Sequence, residues 1–401
     1  MTIASVRVVV VTHCAGERLR RCIEHLVATR WPADQLDIVI IDNASTDNSV
    51  SSLPTWANVR VISAESNLGF GGGVNLALQD LAGVDAVALI NDDAYVTKDW
   101  LKPLASALDD DLRRGAACPK ILLTQRFGLV ELASDDTVLE LMGPSSIRPI
   151  SGAAQVEPGR WLTNGKLVRV AVPFGESARL VVGAPRPLVL HINGAPTQLV
   201  KGTNELAITA FAQSVDLINS VGNELTADYY VRDRGFCEVD RGQFDRPGVI
   251  WGWSGGAVLL SAQMLREIGN FDSRFFLYYE DVDLAWRARS RGWIFCSEPR
   301  SVVRHDVGAS LGSTSPLFDR LNRRNRLVVI ARYAGIRIAI RVWCREFAEA
   351  AWFTGKDGLA AVRQGSRQPL RRPARRWWAF GGATRLVLSG SGRETPRRPT
   401  P

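Results

Sequence analysis

What this 401-residue chain lacks narrows it first. Its six cysteines (Cys14, Cys22, Cys118, Cys237, Cys296 and Cys344) are scattered, with no Cys-x-x-Cys pair. That argues against a zinc ribbon or a disulfide scaffold and suggests a reducing compartment. No run of 18 apolar residues occurs, so no segment is expected to span a bilayer. The apolar stretch Val6–Val11 is too short for a signal-peptide core and no small-residue cleavage site follows it, so no leader is expected. There is no Gly-Lys-Ser/Thr phosphate loop, and no dinucleotide fingerprint after the first β-branched run, where the chain reads Thr12-His13-Cys14-Ala15-Gly16-Glu17. Acids are scarce at one end. Residues 320–401 hold 18 Arg and one Lys against four acids, a balance of +15 in a chain total of +8, which leaves −7 for residues 1–319.

What is present is an ordinary soluble composition, 46% hydrophobic and 22% charged, long enough for two or three packed units. Val6 to Thr12 reads as a strand covered on both faces, and Arg18 to Thr29 sets Leu19, Cys22, Ile23, Leu26 and Val27 on a helical stripe. Leu36–Ile41, Val59–Ile62 and Ala86–Ile90 repeat the strand signal, and a helix to about Leu81 is expected after the Gly-rich stretch Asn67–Asn75. This alternation predicts an α/β fold with a mostly parallel sheet and helices on its faces, in which ligands bind beyond the carboxyl ends of the strands. Those ends carry Thr12-His13, Asp42, the Gly-rich loop and Asn91-Asp92-Asp93. Residues 1–125 form the first half of this unit. Residues 126–218 change to short alternating runs between Gly, Pro and Asn turns, which predicts an inserted, β-rich, sandwich-like domain. Residues 219–318 return to mixed texture as the second half.

Three stretches carry chemistry. Asp92 and Asp93, adjacent at the end of a buried strand, repel each other unless a divalent cation neutralises them, and oxygen ligands favour Mg²⁺ or Mn²⁺ shared with phosphate. The competing reading has Asp93 capping a helix expected from Thr97 to Leu108. The Gly-rich loop serves either close helix packing or close approach of a nucleotide sugar. In Phe275-Phe-Leu-Tyr-Tyr-Glu-Asp-Val-Asp283, three carboxylates follow an aromatic run, whose desolvation should raise their proton affinity and make one a general base. First-turn capping, with a surface Asp283–Arg287 pair, is the bland alternative. Trp251-Gly-Trp253-Ser254-Gly255-Gly256 could stack on a sugar or simply be core, and His305 could ligate a metal or be structural.

Taken together, Val8-Val-Val-Val-Thr-His13, Ile41-Asp-Asn-Ala-Ser-Thr-Asp47, Asn67-Leu-Gly-Phe-Gly-Gly-Gly-Val-Asn75, Leu89-Ile-Asn-Asp-Asp93, Trp253-Ser-Gly-Gly-Ala257 and Phe271-Asp272 through Tyr279-Glu-Asp-Val-Asp-Leu-Ala-Trp-Arg287 resemble the GT-A fold glycosyltransferases of family 2, in particular the bacterial rhamnosyltransferase-like branch. The resemblance implies a nucleotide-diphosphate sugar held by Thr12, His13, Glu17, Asp42, Asn67, Gly69, Gly73, Asn75, Asn91 and Asp92. It implies a divalent cation, Mg²⁺ or Mn²⁺, on Asp93 and His305, with Asp281 as catalytic base beside Glu280. It also implies an acceptor and sugar pocket from Trp253, Ser254, Gly255, Gly256, Asp283 and Arg287. The implied reaction is an inverting, metal-dependent sugar transfer, with dTDP-rhamnose as donor and a glycan or polyprenyl-linked saccharide of the cell envelope as acceptor. The alternatives are a non-catalytic carbohydrate-binding protein built on the 126–218 sandwich, and a nucleotidyltransferase, which would need a basic Gly-rich loop after the first strand.

The segment 319–401 predicts basic amphipathic helices and a disordered tail. Leu327–Phe353 interleaves apolar residues with Arg332, Arg337, Arg341 and Arg345, and Arg371-Arg372-Pro-Ala-Arg-Arg-Trp377-Trp378 follows. Basic residues with Trp suit an anionic membrane surface, so a cytoplasmic protein peripheral at the inner face of the membrane is expected. Nucleic acid is not expected as a partner, because no nucleic-acid fold motif accompanies the tail. The alternative is a solvated helical pair packed on the domain. The sequence leaves oligomeric state open.

Overall fold

The structure, a computed structural model, describes residues 3–348 except 136, 145, 158, 210–212, 228 and 307–315. The Val-rich start forms β1 (Val6–Thr12), parallel to β2 (Leu36–Asp42) on one side and to β4 (Ala86–Ile90) on the other, with β3 (Val59–Ser63) parallel to β2. β4 pairs antiparallel with Ala257–Ser261, which pairs antiparallel with β6 (Arg114–Leu123). β6 in turn runs parallel to the long strand Ile294–His305, whose end also pairs with β5 (Ala94–Val96). The register sets Thr12 level with Asp42, and Asp42 level with Ser63, so three polar strand ends form one edge.

Side chains alternate across a strand, so β1 and β2 feed two cores. Val8, Val10, Ile38 and Ile40 pack under α1 (Glu17–Val27) and α3 (Leu101–Asp109). Val9, Val39 and Ile41 pack under α2 (Gly69–Ala77), α4 (Ala262–Ile268) and α5 (Glu280–Arg289). Each fully buried Val or Ile contributes roughly 1.5–3 kcal/mol, which is why the sheet is the rigid part that positions the site.

Two expectations change here. The Gly run is itself helical in α2 rather than a loop that precedes a helix. The residues after Asp93 form β5, and α3 begins only at Leu101, so the expected helix cap for Asp93 does not exist.

Within residues 127–209, two five-stranded sheets of antiparallel pairs share a core that includes Leu141, Val170, Leu180, Val182 and Leu190. The chain leaves β6 and returns to it. Leu123 N–H donates to Leu217 O at 2.9 Å, Phe127 bridges to Val215, and Ile218 and Ser220 pair with Leu122 and Ile121. The insertion therefore hangs on a two-chain neck at the carboxyl end of β6.

α6 (Pro316–Tyr333) is followed by a second helical segment over residues 336–348, with Gly335 between them at φ +103°. The continuous amphipathic pattern expected from Leu327 is thus broken, and Arg332 faces inward to Asp272 and Asp283 rather than outward. The Arg/Trp-rich stretch beyond residue 348 lies outside the described residues. No helix among the described residues is long and apolar enough to cross a membrane.

Candidate active site

Asn43 builds the first wall. It is buried, and its amide spans the gap between β2 and α2: Nδ2 donates to Gly69 O at 3.0 Å and Asn67 Oδ1 at 3.1 Å, while Oδ1 accepts Leu68 N–H at 2.9 Å. Beside it, Asp42 accepts Ser45 N–H at 2.9 Å, His13 Nδ1 lies 3.0 Å from Asn43 O, and Asn67 Oδ1 also takes Gly69 N–H at 2.9 Å. Thr12 is buried next to Asp92, and Glu17 is exposed with Arg20 3.2 Å away. These residues share one edge of the sheet.

The second wall is the end of β4. Asn91 N–H donates to Gly256 O at 3.1 Å, which ties this end to the neighbouring strand. Asp93 is 3% exposed, and its Oδ1 lies 3.0 Å from His305 Nε2 yet accepts no hydrogen bond among the described residues. His305 Nδ1 is 2.7 Å from Asn219 Oδ1, an acceptor, so the network assigns the ring proton to Nδ1. Nε2 then turns a lone pair toward Asp93 and toward Asn91 Nδ2 at 3.3 Å. The carboxylate of Asp93 and the imidazole of His305 are the side chains on this wall whose donor chemistry would suit a divalent cation. Among the described residues no group of three or more His, Cys, Asp or Glu gathers for a metal, so further ligands would come from substrate oxygens. Burial pushes Asp92 up to about 6, opposed by the Thr12 hydroxyl and reinforced by Asp93.

The third wall carries the acidic segment. Glu280 and Asp281 open α5 without a side-chain cap; Asp281 instead accepts Val282 N–H at 2.8 Å. Burial pushes Asp281 up to about 7, with the Val282 and Gly255 N–H groups opposing and the Asp233 carboxylate adding to the rise. Glu280, 6% exposed and with Oε2 unpartnered among the described residues, is driven well above the carboxylate range by burial and by Asp281. The floor joins all this. A Cβ on Gly256 would lie 3.3 Å from the His305 ring, a Cβ on Gly255 would lie 3.8 Å from Asp281 Oδ2, and Ser254 bonds the Asp233 carboxylate. Three consecutive residues thus border the histidine, the raised aspartate and a further acid, and Gly256 lets the backbone approach the His305 ring closely.

Other predicted site residues stand elsewhere. Trp253 is 1% exposed and edges onto Phe295 with ring centroids 5.0 Å apart, so it is core and not a sugar platform. Asp283 is 1% exposed and takes Arg287 Nε at 3.0 Å, Arg332 at 2.8 Å and the Tyr333 hydroxyl at 2.7 Å. Asp283 and Arg287 therefore form neither a pocket wall nor a surface pair but a buried network joining α5 to α6. Asn75 clamps the Phe271 backbone, with Nδ2 2.9 Å from its O and Oδ1 3.0 Å from its N. Gly73 faces Val11, where a Cβ would come within 2.9 Å. Gly69 sits at φ +72° with its Cβ position 2.0 Å from Phe276 O.

Sequence reasoning missed Asn43, Asn219 and Asp233. Asn43 lay in a polar strand end already singled out. Asn219 and Asp233 carried no signal, because 86 residues separate Asn219 from the histidine it orients.

The strand ends of this α/β sheet thus lead to the paired Asp93 and His305, and the start of α5 carries the half-buried, raised Asp281. Residues 7–126 match the model of the family described as glycosyl transferase family 2. The N-acetylglucosaminyl-diphospho-decaprenol L-rhamnosyltransferase of Mycobacterium tuberculosis is 23% identical over 308 residues, which are 76% of this chain and 77% of that protein. Among solved structures, GalNAc-T7 with UDP, GalNAc and Mn²⁺ aligns at TM-score 0.48 and 13% identity over 97% of this chain, which spans 58% of that chain's length. The mannosyltransferase PcManGT from Pyrobaculum calidifontis with GDP-Man and Mn²⁺ aligns at TM-score 0.43 and 12% identity, over 96% of this chain and 88% of that one.

Proposed function

We propose that this glycosyltransferase moves a sugar from a nucleotide-diphosphate donor to a hydroxyl of a lipid-linked saccharide, inverting the anomeric centre, with Asp281 as general base. The observation that carries the reading is the common floor: Gly256 borders His305 while its neighbour Gly255 borders Asp281. In this reading the ion-and-diphosphate side and the proton-accepting side lie against two consecutive residues.

Asp42 and Asn67, at the edge held by Asn43, receive the nucleoside. Asp93 and His305 would hold a divalent cation, whose chemistry when bound is to offset the charge gathering on the departing diphosphate. Asp281 accepts the proton of the acceptor hydroxyl. The acceptor's hydroxyl oxygen forms the new bond to the anomeric carbon as the bond from that carbon to the diphosphate oxygen breaks, and the nucleoside diphosphate leaves with the electron pair. One displacement from the opposite face needs one base and no second nucleophile. A base near 7 suits this role, since about half of it is ionised at neutral pH and it is basic enough to take the proton.

The donor is proposed as dTDP-rhamnose and the acceptor as a polyprenyl-diphosphate saccharide, supported by the name of the mycobacterial relative. A peripheral site at the inner face of the membrane, held by the basic tail, fits such an acceptor. The test is a panel of nucleotide sugars with Mn²⁺ and a polyprenyl-diphosphate N-acetylglucosamine acceptor, read by released nucleoside diphosphate and by the anomeric configuration of the product. Turnover with inversion supports the reading. Retention, or no turnover with any donor in the presence of metal, refutes it.

A further inference from the structure

Resting on the assignment of Asp281 as base, we propose that Asn325, oriented by Arg324, is a positioning residue that holds the loop before Asp281 in its working shape. Asn325 lies on α6 and is 0% exposed. Its Nδ2 donates to three carbonyl oxygens of one loop, those of Phe275 at 3.0 Å, Leu277 at 2.9 Å and Tyr278 at 2.6 Å. Its Oδ1 accepts Arg324 Nε at 2.7 Å, which fixes the end of the amide that faces the loop. The same guanidinium donates to Arg274 O at 2.6 Å and Phe275 O at 3.0 Å.

The loop needs holding. Phe276, Tyr278 and Tyr279 sit at φ 64°, 68° and 70°, a region that bulky L residues rarely occupy. Such backbone persists only where the surroundings over-determine it. From the other side Phe276 O accepts Phe70 N–H at 2.7 Å, pressed against Gly69, so the loop is gripped between α2 and α6. Asp281 follows two residues after Tyr279. Past it, Asp283 is taken by Arg332 and Tyr333 of the same α6. One helix thus fixes the chain on both sides of the base. A buried amide costs desolvation that an apolar side chain of similar volume avoids, which favours a directional role over mere filling.

Asn325→Asp keeps the shape and the contact to Arg324 but removes both donors. A base displaced by about 1 Å loses roughly 100-fold in rate, so kcat is expected to fall roughly 10- to 100-fold. Donor KM and the thermal shift given by the nucleotide sugar are expected to stay at wild-type values, while the acid limb of the kcat–pH profile moves. A purely structural role would reduce the folded fraction without moving that limb. Asp281→Asn, measured alongside, separates the two claims. If it turns over like wild type, the base assignment fails. If it is inactive while folded Asn325→Asp keeps wild-type kcat and pH profile, the positioning role is overturned and the base assignment stands. Should Asn325→Asp not fold, Arg324→Ala decides: unchanged kcat and pH profile overturn the proposal.

Discussion

Asp281→Asn should produce a protein that is catalytically dead and, at alkaline pH, more stable than wild type. Asp281 moves from an ordinary value of 3.8 to about 7 on folding, chiefly by burial. Between those values the unfolded chain has released its proton and the folded one has kept it. The unfolded state therefore binds fewer protons, and stability falls as pH rises. At 1.36 kcal/mol per pH unit, the ionised aspartate costs the fold about 2 kcal/mol at pH 5 and about 4 kcal/mol at pH 8. Asparagine carries no charge and avoids this cost, so its advantage should grow by about 2 kcal/mol between these pH values, or several degrees in melting temperature. Denaturant titrations at pH 5 and pH 8 read the difference directly. Turnover should drop roughly 10²- to 10⁴-fold, the usual contribution of a general base. A variant no more stable than wild type at pH 8 would refute the burial argument, and one that retains wild-type turnover would refute the role.

The same geometry makes three further predictions. Asp93→Asn removes the acceptor that faces His305 Nε2, so the added thermal shift from Mn²⁺ in the presence of nucleoside diphosphate should vanish while the metal-free melting temperature stays within a few degrees. Asp233→Asn deletes a negative neighbour that raises Asp281, so the acid limb of kcat should move to lower pH, a shift absent if the two carboxylates do not interact. Asp283→Asn takes the shared negative charge and one of two acceptor oxygens from Arg287, Arg332 and Tyr333, and breaking a buried pair of this kind should cost roughly 3–5 kcal/mol in a denaturant titration.

The two acidic clusters were legible in the sequence where local pattern and chemistry coincide. Asp92-Asp93 stood out because two acids cannot end a buried strand without compensation, and Glu280-Asp281 because they abut an aromatic run that had to be buried. Partners were not legible. Asp283 and Arg287 sit four apart and read as a surface pair, yet the deciding contacts come from Arg332 and Tyr333, about fifty residues on. The Gly run misled in an instructive way. Each glycine costs a helix about 1 kcal/mol against alanine, so propensity alone argues for a loop. Packing overrides it, because a Cβ would reach within 2.9 Å of Val11 at Gly73 and 3.0 Å of Phe271 at Gly71. The glycines that weaken α2 as an isolated helix let it lie between β1 and the segment that leads into Glu280. Gly71 packs directly against Glu280, its Cβ position 3.5 Å from that side chain. The two stretches that looked like separate motifs, one rich in glycine and one in acid, are therefore halves of a single contact, and substitutions in either should be felt at Asp281.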